Sequence, residues 1–128
     1  MKVIRSTEGS AVNRTGAAIF EGQVIGRTLL VDGDSSDFNA SIVQFSPGAR
    51  TRMHRHASDQ LLYIVAGIGQ VGTGEQTHTV GVGDLVIVPA GEDHWHGAGE
   101  TGHPMSHLTI TRPSAAGETI IGESARRS

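Results

Sequence analysis

Gly48-Ala49-Arg50-Thr51-Arg52-Met53-His54-Arg55-His56-Ala57-Ser58-Asp59-Gln60-Leu61-Leu62-Tyr63-Ile64-Val65-Ala66-Gly67 is the stretch on which the reading of this chain turns. A His-x-His pair is followed by three turn-like residues, a glutamine and an unbroken apolar run, with a glycine at each end. Residues two apart on a strand project to the same face, so His54 and His56 can both offer a ring nitrogen to one ion about 2 Å from each. Ala57-Ser58-Asp59 reads as a turn, which makes Gln60 the first residue of the next strand and lets it reach that ion from beside the pair. A second stretch, Gly83-x5-Pro89-x-Gly91-x2-His94, ends in a third imidazole just after a Pro-Ala-Gly turn. His94 is expected to arrive on a neighbouring strand, from across a barrel. Glycines at 48, 67, 83 and 91 suit the positive φ and close approach that such turns need.

Working outward, all seven histidines fall between His54 and His107. Few residues follow a helical period, whereas short runs rich in Val, Ile, Leu and Thr recur between turn signals. The expected strands are Gln23-Val31, Asn39-Phe45, Gln60-Ala66, Thr77-Val80, Leu85-Val88 and Met105-Thr111. Turns are expected at Asp32-Gly33-Asp34, Ser46-Pro47-Gly48, Gly72-Thr73-Gly74 and Pro89-Ala90-Gly91. Leu61-Val65 and Leu85-Val88 are continuous apolar runs, as in strands covered on both faces within a two-sheet barrel or an oligomer. The fold class is therefore all-β, a jelly-roll type barrel forming one domain over residues 1–128. Gly67-Ile68-Gly69-Gln70-Val71-Gly72 matches the dinucleotide-binding fingerprint, but another turn follows instead of a helix, so that reading fails. Residues 112–117 look like a linker into a β-prone Thr119-Ile120-Ile121, and the tail 122–128 is expected to fray. His78 is expected to be solvated on a hairpin strand, His103 to lie in a loop, and Trp95 to line core or pocket.

Composition removes other classes. With 128 residues, a formal net charge of -3 and no Lys/Arg cluster beyond Arg126-Arg127, the chain carries no footprint for nucleic acid or an anionic membrane. It has no cysteine, so any metal ligands are nitrogen and oxygen. Lys2-Val3-Ile4-Arg5-Ser6 is too polar for a signal segment, and no apolar run approaches a membrane span; a cytoplasmic protein is expected.

The two glycine-bounded stretches resemble the two motifs of the cupin superfamily, Gly-x5-His-x-His-x3,4-Glu-x6-Gly and Gly-x5-Pro-x-Gly-x2-His-x3-Asn, over residues 48–67 and 83–98. Gln60 stands where most cupins have Glu, and Ala98 where the second motif has Asn. His94-Trp95-His96-Gly97-Ala98 and Met105-Ser106-His107-Leu108-Thr109-Ile110 narrow the resemblance. It is to small single-domain bacterial cupins that include the manganese-dependent (R)-selective hydroxynitrile lyases, relatives of which are often labelled carboxymuconolactone-decarboxylase-like. The resemblance implies that His54, His56, Gln60 and His94 hold one divalent metal, manganese first, with iron, nickel or zinc as alternatives in so nitrogen-rich a site. It also implies that His96 and His107 line the pocket without ligating, either able to act as general base, and that Ser41 and Val43 face the substrate from an earlier strand.

Glutamine in place of glutamate has a consequence of its own. A neutral amide oxygen leaves the full divalent charge facing the pocket and compensates nothing in a higher oxidation state, which favours polarising a bound oxygen over dioxygen chemistry. The expected activity is lyase chemistry on a small hydroxylated substrate of cyanohydrin type, by a homodimer. The alternatives are a dioxygenase of a small aromatic or enol substrate, a uronate-processing cupin and a non-catalytic metal or ligand sensor.

Overall fold

The computed structural model describes residues 1–113 and 119–122, so the tail beyond 122 and positions 114–117 of the linker-like segment lie outside the described residues. The strands are β1 (Val12–Asn13), β2 (Phe20–Glu21), β3 (Val24–Thr28), β4 (Asn39–Phe45), β5 (Arg50–Thr51), β6 (His54–His56), β7 (Gln60–Gly72), β8 (Thr77–Gly81), β9 (Leu85–Val88), β10 (Trp95–Gly97), β11 (Met105–Thr111) and β12 (Thr119–Ile121). Among the described residues there is no helix. The strands form a curled antiparallel sheet in the order β1-β3-β4-β11-β7-β10-β5-β2, with β8 and β9 also on β7, and β12 pairs β6 separately. This is the all-β, jelly-roll type architecture that the alternating runs imply.

Cross-strand register fixes what looks inward. One row runs Gly26, Val43, His107, Ile64, and the next runs Thr28, Ser41, Thr109, Leu62. A third, Val24, Phe45 and Met105, is buried to within 1% of zero exposure and anchors the core with Leu62 and Ile64. The opposite face carries Ile42, Leu108, Tyr63 and Leu85 in one row and Ala40, Ile110, Leu61 and Ile87 in another. The apolar runs at 61–65 and 85–88 thus divide by parity: Leu62, Ile64 and Val88 are buried, while Tyr63, Leu85 and Ile87 are exposed in the single chain.

Three expected strands, Asn39–Phe45, Leu85–Val88 and Met105–Thr111, have the bounds read from the sequence. β3 stops short of Val31. The amides of Leu29 and Leu30 converge on one carbonyl, that of Ala40, and Asp34 then takes the Val31 amide into a turn. β7 runs on to Gly72, through glycines that resemble a turn in sequence. A bulge opposite Ser106 and His107 lets it do so: Ile64 faces His107 and Ala66 faces Ser106, so Val65 is the extra residue. Before the bulge the inward residues are Gln60, Leu62 and Ile64; after it they are Gly69 and Val71. At Gly72 a side chain would run into the indole of Trp95, which is buried and stacks under the Arg50 guanidinium at 3.7 Å. Glycine here is a packing requirement. Gly72→Ala is expected to lower stability by about 1–3 kcal/mol, the usual cost of overpacking, and a urea midpoint equal to wild type would contradict it.

Candidate metal centre

Three segments meet at one end of the inner face. β6 supplies His54 and His56, and β7 begins at Gln60 after the Ala57–Asp59 bend. His94 lies just before β10 and exchanges both backbone hydrogen bonds with His54, each 2.9 Å. It therefore enters from directly alongside His54 and not from across the barrel. The ligating atoms of His54, His56 and His94 come within 4.8 Å of one another.

The hydrogen bonds outside the cluster decide what faces inward. His54 Nδ1 lies 2.8 Å from the Arg52 carbonyl and His94 Nδ1 lies 2.9 Å from the Glu92 carbonyl. Carbonyl oxygens only accept, so both rings carry their proton on Nδ1 and present Nε2 as a lone pair. His56 Nδ1 has the Thr119 hydroxyl at 2.8 Å. The Nε2 atoms of His54 and His56 are buried without a hydrogen-bond partner. Gln60 donates its amide to the Thr109 hydroxyl at 2.8 Å, which turns Oε1 inward to 2.9 Å from His94 Nε2. Two acceptors at that distance do not bond to each other. They do match neighbouring donors on one cation, which lie about 3 Å apart when each is about 2.1 Å from the ion. A divalent ion is the group that these converging lone pairs fit.

Electrostatics agrees. Burial, followed by the neighbouring His94, pushes the His54 ring down to about 3. Burial is also the first cause of the lowered values of His56 and His94. All three rings are thus neutral at pH 7, the form in which imidazole ligates.

Behind the ligands sits a second pair. His96 on β10 is buried, its ring centroid 5.4 Å from that of His54 and 5.7 Å from that of His94. Its Nδ1 lies 2.9 Å from His107 Nε2, and both rings pack against Phe45. Burial holds His107 down to about 4, and burial together with His107 holds His96 well below the ordinary imidazole range. His96 thus stands between the ligand cluster and His107.

Ser41 and Val43 lie on β4 in the inward rows of Thr109 and His107, and both line a cavity of about 540 Å³. Thr119, the hydroxyl partner of His56, lines it too. His78 and His103 are exposed and apart from the cluster. Sequence reading missed Thr109, Thr119 and Thr51, whose hydroxyl accepts the His96 amide at 3.1 Å. Parity with His107 was a signal for Thr109; nothing local marks Thr119, 63 residues from His56. Thr109→Val is expected to free the Gln60 amide to flip and to weaken metal binding about 10–100-fold, as for other groups that orient a ligand. Because a carboxylate has no wrong way round, the same change in a Gln60→Glu background should cost far less. Equal losses in both backgrounds, measured by metal titration, would contradict the orienting role.

Among known proteins, a family model described as Cupin domain matches residues 41–111. The (R)-mandelonitrile lyase of Granulicella tundricola is 44% identical over 72 residues, covering 53% of this chain and 52% of that protein, so the match spans about half the relative's length. A cupin-like protein from Thermotoga maritima superposes with a TM-score of 0.76 at 28% identity, over 91% of this chain and 90% of that one. The polyketide cyclase RemF from Streptomyces resistomycificus gives 0.78 at 21% identity, over 98% and 89%, a likeness of fold alone.

Proposed function

We propose, from the premise that the chain belongs to the cupin domain family, that it is a metal-dependent lyase acting on a small hydroxylated substrate of cyanohydrin type. The observation that carries this reading is the convergence of four unprotonated donors, His54, His56, His94 and a neutral Gln60 oxygen, on one point. The partial likeness to a mandelonitrile lyase supports the substrate type. A divalent ion on these residues, manganese first, supplies Lewis acidity toward a substrate oxygen, undiminished by any ligand carboxylate.

The rest falls to the chain's own groups. In the tautomer in which His96 Nδ1 donates to His107 Nε2, the other ring nitrogen of His96 is a lone pair, on a ring whose centroid lies 5.4 Å from that of His54. His96 takes the substrate hydroxyl proton there as the C–C bond to the nitrile carbon breaks. The oxygen electrons form the aldehyde carbonyl, and the bond pair leaves with cyanide. His107 holds His96 in the required tautomer, as the third member of a catalytic triad orients its base. The apolar wall of Phe45 and Val43 keeps water from the departing ion pair.

The test is benzaldehyde release from racemic mandelonitrile by manganese-loaded and chelator-stripped protein, with and without dioxygen. Metal-dependent, dioxygen-independent release is expected. Release that requires dioxygen would turn the reading to an oxygenase on the same ligands, and a tightly bound ion with no turnover would turn it to a sensor. The exposed face of Tyr63, Leu85 and Ile87 is taken to pair with the same face of a second copy about a two-fold axis. Tyr63→Glu should then shift sedimentation from dimer to monomer, and a wild type that sediments as a monomer at all concentrations would end that assignment.

A further inference from the structure

We propose that the cavity beside the metal cluster receives a carboxylate of the substrate on the guanidinium of Arg14, so that the natural substrate is an anionic hydroxy compound and not a neutral one. This rests on the proposed reaction, because it assigns the far end of the same molecule.

The cavity holds about 540 Å³, within the range of small-molecule sites. Among the described residues no aspartate or glutamate lines it, and its charged residues are Arg14 and Arg27. Arg27 is already engaged. It alternates with Gly26 and Thr28 along β3, and its Nη1 donates to the carbonyls of Ser6 at 2.8 Å and Glu8 at 3.0 Å. Arg14 is different. β1 sets Val12 opposite Gly26 and Asn13 opposite Ile25, so Arg14 shares the face of Val12 and Gly26, where Val12 and Arg14 are exposed at the cavity rim. A side chain at Gly26 would meet the Arg14 stem at 3.2 Å, so glycine at this place leaves the arginine its path across the rim. Its guanidinium lies 6.0 Å from the Phe20 ring centroid and, among the described residues, has no ion pair or side-chain hydrogen bond.

A guanidinium over an aromatic ring, with no acid beside it among the described residues of the cavity, favours an anion. One planar fork matches one carboxylate, whereas phosphate sites gather several cations and backbone amides. The hydroxyls of Thr28, Ser41 and Thr119 are further polar groups in a lining that is otherwise mostly apolar. From Arg14 the sheet crosses β3 and β4 to reach β11 and His107, three spacings of about 4.8 Å measured along a surface that curls inward. A substrate that joined the two places would carry its hydroxyl at one end and its carboxylate at the other. A neutral cyanohydrin leaves Arg14 without a partner.

The test is calorimetric titration of the full manganese-loaded chain with 4-(hydroxymethyl)benzoate and with its amide, 4-(hydroxymethyl)benzamide. Wild type is expected to bind the acid at least about tenfold more tightly than the amide. Arg14→Gln should abolish that preference with amide affinity unchanged, and Arg14→Lys should keep part of it. Equal affinities in wild type, or a preference that survives in Arg14→Gln, would overturn the proposal, the second by placing the carboxylate on the ion. Turnover is scored separately: an intact, Arg14-dependent preference with no turnover of any cyanohydrin would sink the reaction and leave the anion subsite standing.

Discussion

His54→Ala is expected to weaken metal binding by well over about 100-fold and to remove turnover with it, because His54 is the hub of the cluster. Changing a group that merely orients a ligand costs about 10–100-fold, and removing the ligand itself costs more. His54 is 1% exposed, its Nε2 has no hydrogen-bond partner, and its backbone is bridged to that of His94. The bridge is made by main chain, so the variant keeps its fold and the loss is one of ligation. Equilibrium dialysis followed by elemental analysis measures it. A variant that retained one tightly bound ion per chain would show that the metal sits elsewhere.

The second large effect is acid lability of the metal-free protein. The ordinary imidazole value is near 6.5, and the folded values of His54 and His107 lie far below it, at about 3 and about 4. Between the folded and unfolded values the unfolded chain holds more protons than the native one. The stability these neutral rings contribute is therefore complete above about pH 6.5 and is lost as pH falls toward 3 or 4. By pH 5 each ring has given up about 2 kcal/mol, at 1.36 kcal/mol per unit. For a domain worth about 5–15 kcal/mol in all, two such losses, about 4 kcal/mol together, remove between about a quarter and most of its stability. Urea titrations of stripped protein at pH 7.5 and pH 5 read this directly, and equal unfolding free energies would contradict it. Adding the metal should move the loss to lower pH, because protons and the ion compete for the same nitrogens.

The parts of the molecule legible in the sequence are those in which a local pattern has one geometric meaning. His-x-His on a strand, a turn, and a residue opening the next strand put His54, His56 and Gln60 together with no knowledge of the rest of the chain. β4, β9 and β11 were readable for the same reason, as apolar or alternating runs with a turn before or after them. The short pairings were not. β1, β2, β5 and β10 have two or three residues each, too few to show a period; β1 and β10 take the edges that β3 and β7 offer, and β5 and β2 add on beyond β10. Nor could sequence spacing give the direction from which His94 arrives, since the backbone bridge to His54 depends on the curl of the whole sheet. The glycines of β7 misled in the opposite sense, looking like a turn because the bulky neighbours that demand them, Trp95 and Met105, lie far along the chain.

The extra residue at Val65 makes β7 a pair of gears cut half a tooth out of step, one half meshed with the ligand cluster and the other with the layer around Trp95. Substitutions there are free as far as this gearing goes; a change of length is not. Loss of either Val65 or Ala66 would turn either Gln60 or Val71 inside out. The number of residues from Gln60 to Gly72 is therefore a fixed dimension of the site, whatever the residue at the bulge is.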